Sequence, residues 1–282
     1  MLKITRFEQV TRIDSARTIA GRGVYWTTAY LVDGLLIDSG CAHSADELDQ
    51  MLSDEPLTCI VNTHSHEDHI GANGKLKENR NQLEILAHPD ALPVLASPRE
   101  AQPLQPYRRI FWGWPDPSTG KPVEDSQMIE THNHTFQVIY TPGHSPDHLC
   151  LYEPEHGWLF SGDLYVGGRD RALRIDYHIW QIISSLKRVA TLPLTRVFPG
   201  CARVRENPLE ELTAKISYLE ETGEKVIKLH DQGMSKRAIA KTVFGGPMLI
   251  EWMTLGHFTR LGLVNSYLGT AGRKVGKTGE FS

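Results

Sequence analysis

Three imidazoles and two carboxylates fall within six residues of the run Thr63-His64-Ser65-His66-Glu67-Asp68-His69, directly after the apolar stretch Leu57 to Val61. Histidine and aspartate at this density are poor core material and good material for a transition-metal centre, because neutral imidazole nitrogen and carboxylate oxygen are the usual ligands of zinc, iron and manganese. In an extended segment His64 and His66 point to the same side, since side chains alternate with period two, so both can reach one ion. Asp68 and His69 come after the chain turns and face a second ion or the far side of the first. The competing reading, a polar loop that happens to be rich in histidine, weakens once three downstream motifs are counted.

Each of those motifs follows an apolar run. Phe136 to Tyr140 leads into Thr141-Pro142-Gly143-His144, Trp158 to Phe160 into Ser161-Gly162-Asp163, and Arg196 to Phe198 into Pro199-Gly200-Cys201. The shared form is strand, tight turn, ligand. Glycine and proline permit the turn and let backbone approach an ion closely, so ligands from separate strand ends can converge on one rim of a sheet.

Taken in order, HxHxDH, PGH, SGD and the last Pro-Gly turn resemble the metallo-β-lactamase superfamily over roughly residues 1 to 205. The resemblance implies an α/β fold, a four-layer αββα sandwich with a one- or two-metal site at its open edge. It also implies His64, His66 and His144 on the first metal, Asp68 and His69 on the second, and Asp163 bridging. The superfamily's usual last ligand is a histidine, and this chain has Cys201 there. Three readings of Cys201 follow, in this order: a thiolate ligand that keeps the second site; a cysteine that does not reach the metal, packed as a small hydrophobe, leaving one zinc or iron; and a protein that has kept the fold for binding alone.

Strands at Leu2 to Val10, Val24 to Val32 and Leu35 to Asp38, with a hairpin at Asp33-Gly34, must lead up to this centre. Ser44 with Glu47 reads as a capping box opening a helix to about Leu52. A short helix is expected at Gly71 to Lys77, a strand at Leu83 to Ala87 and an amphipathic helix at His178 to Ala190. Residues 97–126 break the rhythm: six prolines among Tyr107, Phe111, Trp112 and Trp114 predict an irregular insertion. It would be a lid with Trp112 and Trp114 as a substrate face, or a segment that its aromatics pin to the body. Arg108, Arg109, Arg169, Arg171 and Arg174 are placed to clamp a carboxylate or phosphate, although Asp170 and Asp176 could neutralise two of them. His88 and His148 read as groups behind the ligands. His132, His134, His156, His178, His230 and His257 have no ligand-like spacing.

The expected domains are a catalytic domain at 1–206, a C-terminal helical module at 207–270 and a flexible tail at 271–282. Helices are expected at Pro208 to Leu229, Lys236 to Val243 and Met248 to Leu261. The module is basic and Ser235 to Ala240 looks like the start of a helix-turn-helix. The resemblance nonetheless implies a cap over the site or a homodimer contact, a better reading than nucleic-acid binding. A net charge of -4 argues against wholesale nucleic-acid coating. Four scattered cysteines without CxxC spacing fit a reducing compartment. With no signal core and no apolar span, the chain reads as cytoplasmic, with no membrane partner.

The reading is therefore a metal-dependent hydrolase in which a metal-bound hydroxide, its water pKa lowered toward about 7, attacks a small-molecule ester, thioester, lactone or phosphodiester. Two Zn2+ are expected, with one zinc or iron as the other count, and Asp68 orients the nucleophile or moves its proton. The alternatives are a mononuclear-iron enzyme like the persulfide dioxygenases, and an RNA-processing or nucleic-acid-binding protein.

Overall fold

The computed structural model describes residues 1–269; the expected tail and residue 270 lie outside the described residues. Contacts divide the chain into two units. The first joins Met1–Tyr140, Pro146–Val166 and Pro193–Glu206, and the second joins Thr141–Ser145, Gly167–Leu192 and the chain from Asn207. This differs from the linear boundary expected at 206, because helix 179–190 and its flanking loops pack with the C-terminal helices.

The first unit opens with β1 (Leu2–Phe7), β2 (Val10–Ile19), β3 (Arg22–Val32), β4 (Leu35–Ile37), β5 (Cys59–Val61), β6 (Glu84–Ala87) and β7 (Lys121–Pro122). They form one sheet in that order, antiparallel from β1 to β4 and parallel from β4 to β7. Then come β8 (Met128–Glu130), β9 (Thr135–Tyr140), β10 (Leu149–Glu153), β11 (Trp158–Gly162), the two-residue β12 (Leu173–Arg174) of the second unit, and β13 (Arg196–Pro199). The second sheet has the order β13-β11-β10-β9-β8, with only β11 and β13 parallel. The strand expected at Leu2 to Val10 is two strands, since the chain turns at Glu8-Gln9, where Glu8 takes a positive φ.

Period two sorts the core. Ala29, Leu31, Leu36, Ile60 and Ile85 face one side, against Leu48, Leu52 and Leu76 on or beside α1 (Ala45–Met51) and α2 (Asn73–Glu78). Tyr30, Val32, Leu35, Ile37 and Val61 face the other, against Phe136, Val138, Leu149, Leu151, Phe160 and Phe198 of the second sheet. A sheet covered on both faces reads as continuous apolar runs, and each such side chain contributes about 1.5–3 kcal/mol on burial. These are three layers of the αββα sandwich. The two sheets are also tied by Tyr30, whose Oη donates to the Pro199 carbonyl at 2.7 Å while its ring meets Phe160 and Phe198 at 5.4 Å.

Ser44 begins α1 without capping it: its hydroxyl donates to the Cys41 carbonyl. The segment 97–126 is not irregular throughout. It holds α4 (Pro98–Ala101), which follows α3 (Leu92–Ala96), then α5 (Pro106–Phe111) and the edge strand β7. Phe111 and Trp112 pin it to Tyr25 of β3, with ring centroids at 4.1 and 6.1 Å.

The second unit contains α6 (Ile179–Ala190), α7 (Pro208–Asp231), α8 (Lys236–Phe244), α9 (Leu249–Met253), β14 (Phe258–Thr259), paired with β12, and α10 (Arg260–Leu268). α6 buries Ile179, Ile182, Ile183, Leu186 and Val189, as its pattern predicts. Asn207 does not cap α7 with its side chain. The helix expected at Met248 to Leu261 is interrupted: Thr254 Oγ1 turns back to Ile250 and the Phe258 N–H, and Leu255 and Gly256 take positive φ. Among the described residues no helix is long and apolar enough to cross a membrane.

Candidate metal centre

The HxHxDH loop leaves β5 and is held from behind by buried amides. Asn73 Nδ2 donates to Asn62 Oδ1 at 2.8 Å, Ser39 Oγ to Asn73 Oδ1 at 2.8 Å, and the Ser39 N–H to the His69 carbonyl at 2.7 Å. Thr27 Oγ1 donates to the Asp68 carbonyl and the Ser65 N–H to Asp147 Oδ2. A loop tied at this many points presents its side chains at the ends of β5 and β11 in fixed directions.

Within the first unit the expected ligands converge. His64 Nε2 lies 2.8 Å from His66 Nδ1, and donor atoms of His64, His69 and Asp163 all lie within 4.8 Å of one another. His69 Nε2 is buried with no hydrogen bond, facing Asp163 Oδ1 at 3.6 Å and Asp68 Oδ2 at 3.8 Å. On the other side of the ring, Nδ1 meets Asp38 Oδ2 at 2.7 Å. Cys201 is exposed as a residue, while its thiol lies near enough to Asp163 and Asp68 to feel both carboxylates. His144 sits in Thr141–Ser145 of the second unit, with its Nε2 3.2 Å from Tyr177 Oη. That five-residue segment is spliced between Tyr140 and Pro146 of the first unit.

The turn glycines are there for close approach. A Cβ on Gly162, at φ +46°, would come within 2.7 Å of Thr63 Oγ1 and 2.8 Å of His148 Nε2, and one on Gly200 within 2.8 Å of Asp163 Oδ1 and His69 Cε1. His148 stands behind the ligands as expected, its Nε2 accepting the Asp163 N–H at 3.1 Å. His88 stacks on Tyr140 instead.

The electrostatics call for a cation. Burial, with Glu67 and Asp163 nearby, raises the Asp68 carboxyl to about 7 although His69 opposes it. Burial pulls His69 down, but Asp38, Asp163 and Asp68 outweigh it and hold the imidazole well above its ordinary value. Burial first, then Asp163 and Asp68, pushes the Cys201 thiol up. Carboxylates crowded on one buried nitrogen without a hydrogen bond, with a second imidazole beside it, form a donor set that fits a divalent ion.

Several residues of this site escape a reading of spacing. Asp38, closing β4, accepts from the Thr63 N–H at 2.7 Å, from Thr63 Oγ1 at 2.8 Å and from His69; its only signal was an Asp-Ser-Gly at a strand end. Glu67, inside the motif itself, forms a buried two-pronged pair with Arg108 of α5. Arg108 is therefore not an anion clamp. Arg169 lies over Tyr218, Arg171 donates to the Phe244 carbonyl and Arg174 pairs with Asp176, so these guanidinium groups are engaged inside the second unit. Asp170 pairs with Lys215 rather than with an arginine. Trp112 packs with Tyr25, Tyr107 and Phe111. His134 and His156, set aside by spacing, meet on the buried Glu153 at 3.1 and 3.2 Å, with His134 Nε2 on Gln9 Oε1 at 2.8 Å.

A family model described as the metallo-beta-lactamase superfamily matches residues 23–201, a span holding every expected ligand named above. The beta-lactamase-like protein 2 homolog of Drosophila melanogaster is 26% identical over 237 residues, 77% of this chain and 71% of that one. A hydroxyacylglutathione hydrolase of Hydrogenovibrio crunogenus is 36% identical over 114 residues, 40% of this chain and 33% of that enzyme. Among solved structures, a metallo-beta-lactamase family protein of Thermus thermophilus aligns with a TM-score of 0.68 and 18% identity over 96% of each chain.

Proposed function

Because this chain belongs to the metallo-beta-lactamase superfamily, whose members related to it include hydrolases, we propose that it is a metal-dependent hydrolase of small-molecule thioesters. The observation that carries the metal half is His69 Nε2, buried without a hydrogen bond between Asp68 and Asp163. The acylglutathione hydrolase supports the substrate half, since an acyl group on the glutathione sulfur is a thioester.

By the family resemblance, His64, His66, His144, His69, Asp68, Asp163 and Cys201 would hold the ions. When bound, such ions supply Lewis acidity to the attacking water and to the carbonyl oxygen under attack. The remaining work falls to the chain. Asp38 fixes the His69 ring by accepting at Nδ1, which leaves Nε2 for ligation. Asp68 stands ready to take the proton of the attacking water at its carboxylate and pass it to the leaving sulfur. The carbonyl carbon gains a bond to the water oxygen and loses its bond to sulfur, yielding carboxylate and thiol.

Elemental analysis of the purified protein, paired with release of free thiol from an S-acylglutathione, tests this. Close to two zinc ions per chain and turnover abolished by His69→Ala are expected. A protein that binds no ion on reconstitution with zinc, manganese or iron, or that keeps its turnover without His69, would overturn it; one iron per chain would turn the reading toward oxidation.

A further inference from the structure

Beside α5 lies a cavity of about 540 Å³. Arg17, His43, Arg99, Arg109, Ile110 and Trp114 line it, and among the described residues no acidic side chain does. Three arginines lining one space repel each other unless carboxylates neutralise them, and among the described residues none of the three is ion-paired. Their positions are nonetheless built. Arg17 is held by the Ile110 carbonyl, His43 Nε2 lies 3.3 Å from the Arg109 carbonyl, and Arg99 lies over the Trp114 ring at 5.7 Å. Gly113, at φ +80°, lets the chain pass His43, since a Cβ there would come within 3.2 Å of that ring.

From this geometry we infer that the cavity binds a phosphate-bearing anion of nucleotide size. Guanidinium forks match phosphate oxygens in pairs, the indole with its arginine offers a flat face to a planar base, and the volume falls in the usual range of small-molecule sites. The ligand is either a free nucleotide or the nucleotide handle of a thioester carrier. The second source rests on the thioesterase reading above; the first does not.

The test uses the metal-loaded protein at low salt, with ADP as the probe and adenosine as its uncharged counterpart, followed by calorimetry. ADP should bind more tightly than adenosine and weaken as salt rises. Arg17→Gln with Arg109→Gln should lower ADP affinity by about tenfold or more, with Arg99→Gln as an independent variant should the pair fail to fold. If ADP raises KM for a nucleotide-bearing acyl thioester while sparing an acylglutathione, the handle is the ligand. If it changes neither KM, a free nucleotide is. Absence of ADP binding at millimolar concentration overturns the inference. So does ADP binding retained in full by the folded arginine variants, which would put the phosphates on the metal centre, and so does a generic oligoribonucleotide that binds far more tightly and that ADP cannot displace. A protein that takes up no metal on reconstitution and still binds ADP through these arginines would overturn the hydrolase reading alone.

Discussion

The two nitrogens of His69 have separate tasks, Nδ1 against Asp38 and Nε2 toward Asp68 and Asp163. Replacing Asp38 with Asn weakens the anchor without removing a ligand, so metal affinity should fall about 10–100-fold while the fold persists; titration against a chelating dye measures it. Cys201 separates the readings of the second site. With the thiol at Asp163, Cys201→Ser should bring metal content down toward one ion per chain and Cys201→His should keep two, whereas unchanged content in the serine variant would show that sulfur is not a ligand. His64, His66, His69 and Asp163 were legible in the sequence because clustered histidines and a carboxylate after a strand-ending glycine have few other uses. Asp38 was not: an aspartate before Ser-Gly looks the same whether it merely ends a strand or braces an imidazole from behind.

At the level of elements, α5 and the HxHxDH loop are held by one ion pair, with Glu67 1% and Arg108 4% exposed. Arg108→Met would leave the Glu67 carboxylate buried and alone, at a cost of about 3–5 kcal/mol, while Glu67→Leu with Arg108→Met should recover most of that loss. Paired denaturation curves check this. Gly162→Ala should fail differently, by forcing Thr63 and His148 away from the site, with loss of bound metal exceeding any loss of thermal stability. The helices of 97–126 escaped a pattern reading for a definite reason. Pro98 and Pro106 are each the first residue of their helix, where a missing N–H costs nothing, so a proline count that suggests irregular chain is also compatible with two helix starts. Helix 248–261 failed the other way: its apolar spacing continues across Thr254, but the threonine hydroxyl and Gly256 end the turn.

Over the whole molecule, the family resemblance carried by the four motifs made the sandwich readable from 1 to 205, while the division into units was not, because side-chain bonds tie α6 to α10 across nearly ninety positions of sequence: the Ile179 N–H to Ser266 Oγ and Trp180 Nε1 to the Tyr267 carbonyl. Global stability should carry a mark of the Glu153 network. Burial alone would raise that carboxyl, but the His156 N–H and the two imidazoles outweigh it and hold it below its ordinary value of 4.5. Folding thus favours the ionised form, and its contribution is complete above that ordinary value and lost as pH falls through the lowered one. The gap in melting temperature between wild type and Glu153→Gln should be steady near neutrality and close in acid. The Tyr30 phenol adds a kinetic consequence. Prising the sheets apart at the end of β13 would strand a desolvated carbonyl and unstack two rings, so an escaping ion must wait for the turns alone to loosen. Extraction by an external chelator should then be slow even where equilibrium favours it, and Tyr30→Phe should shorten the lag.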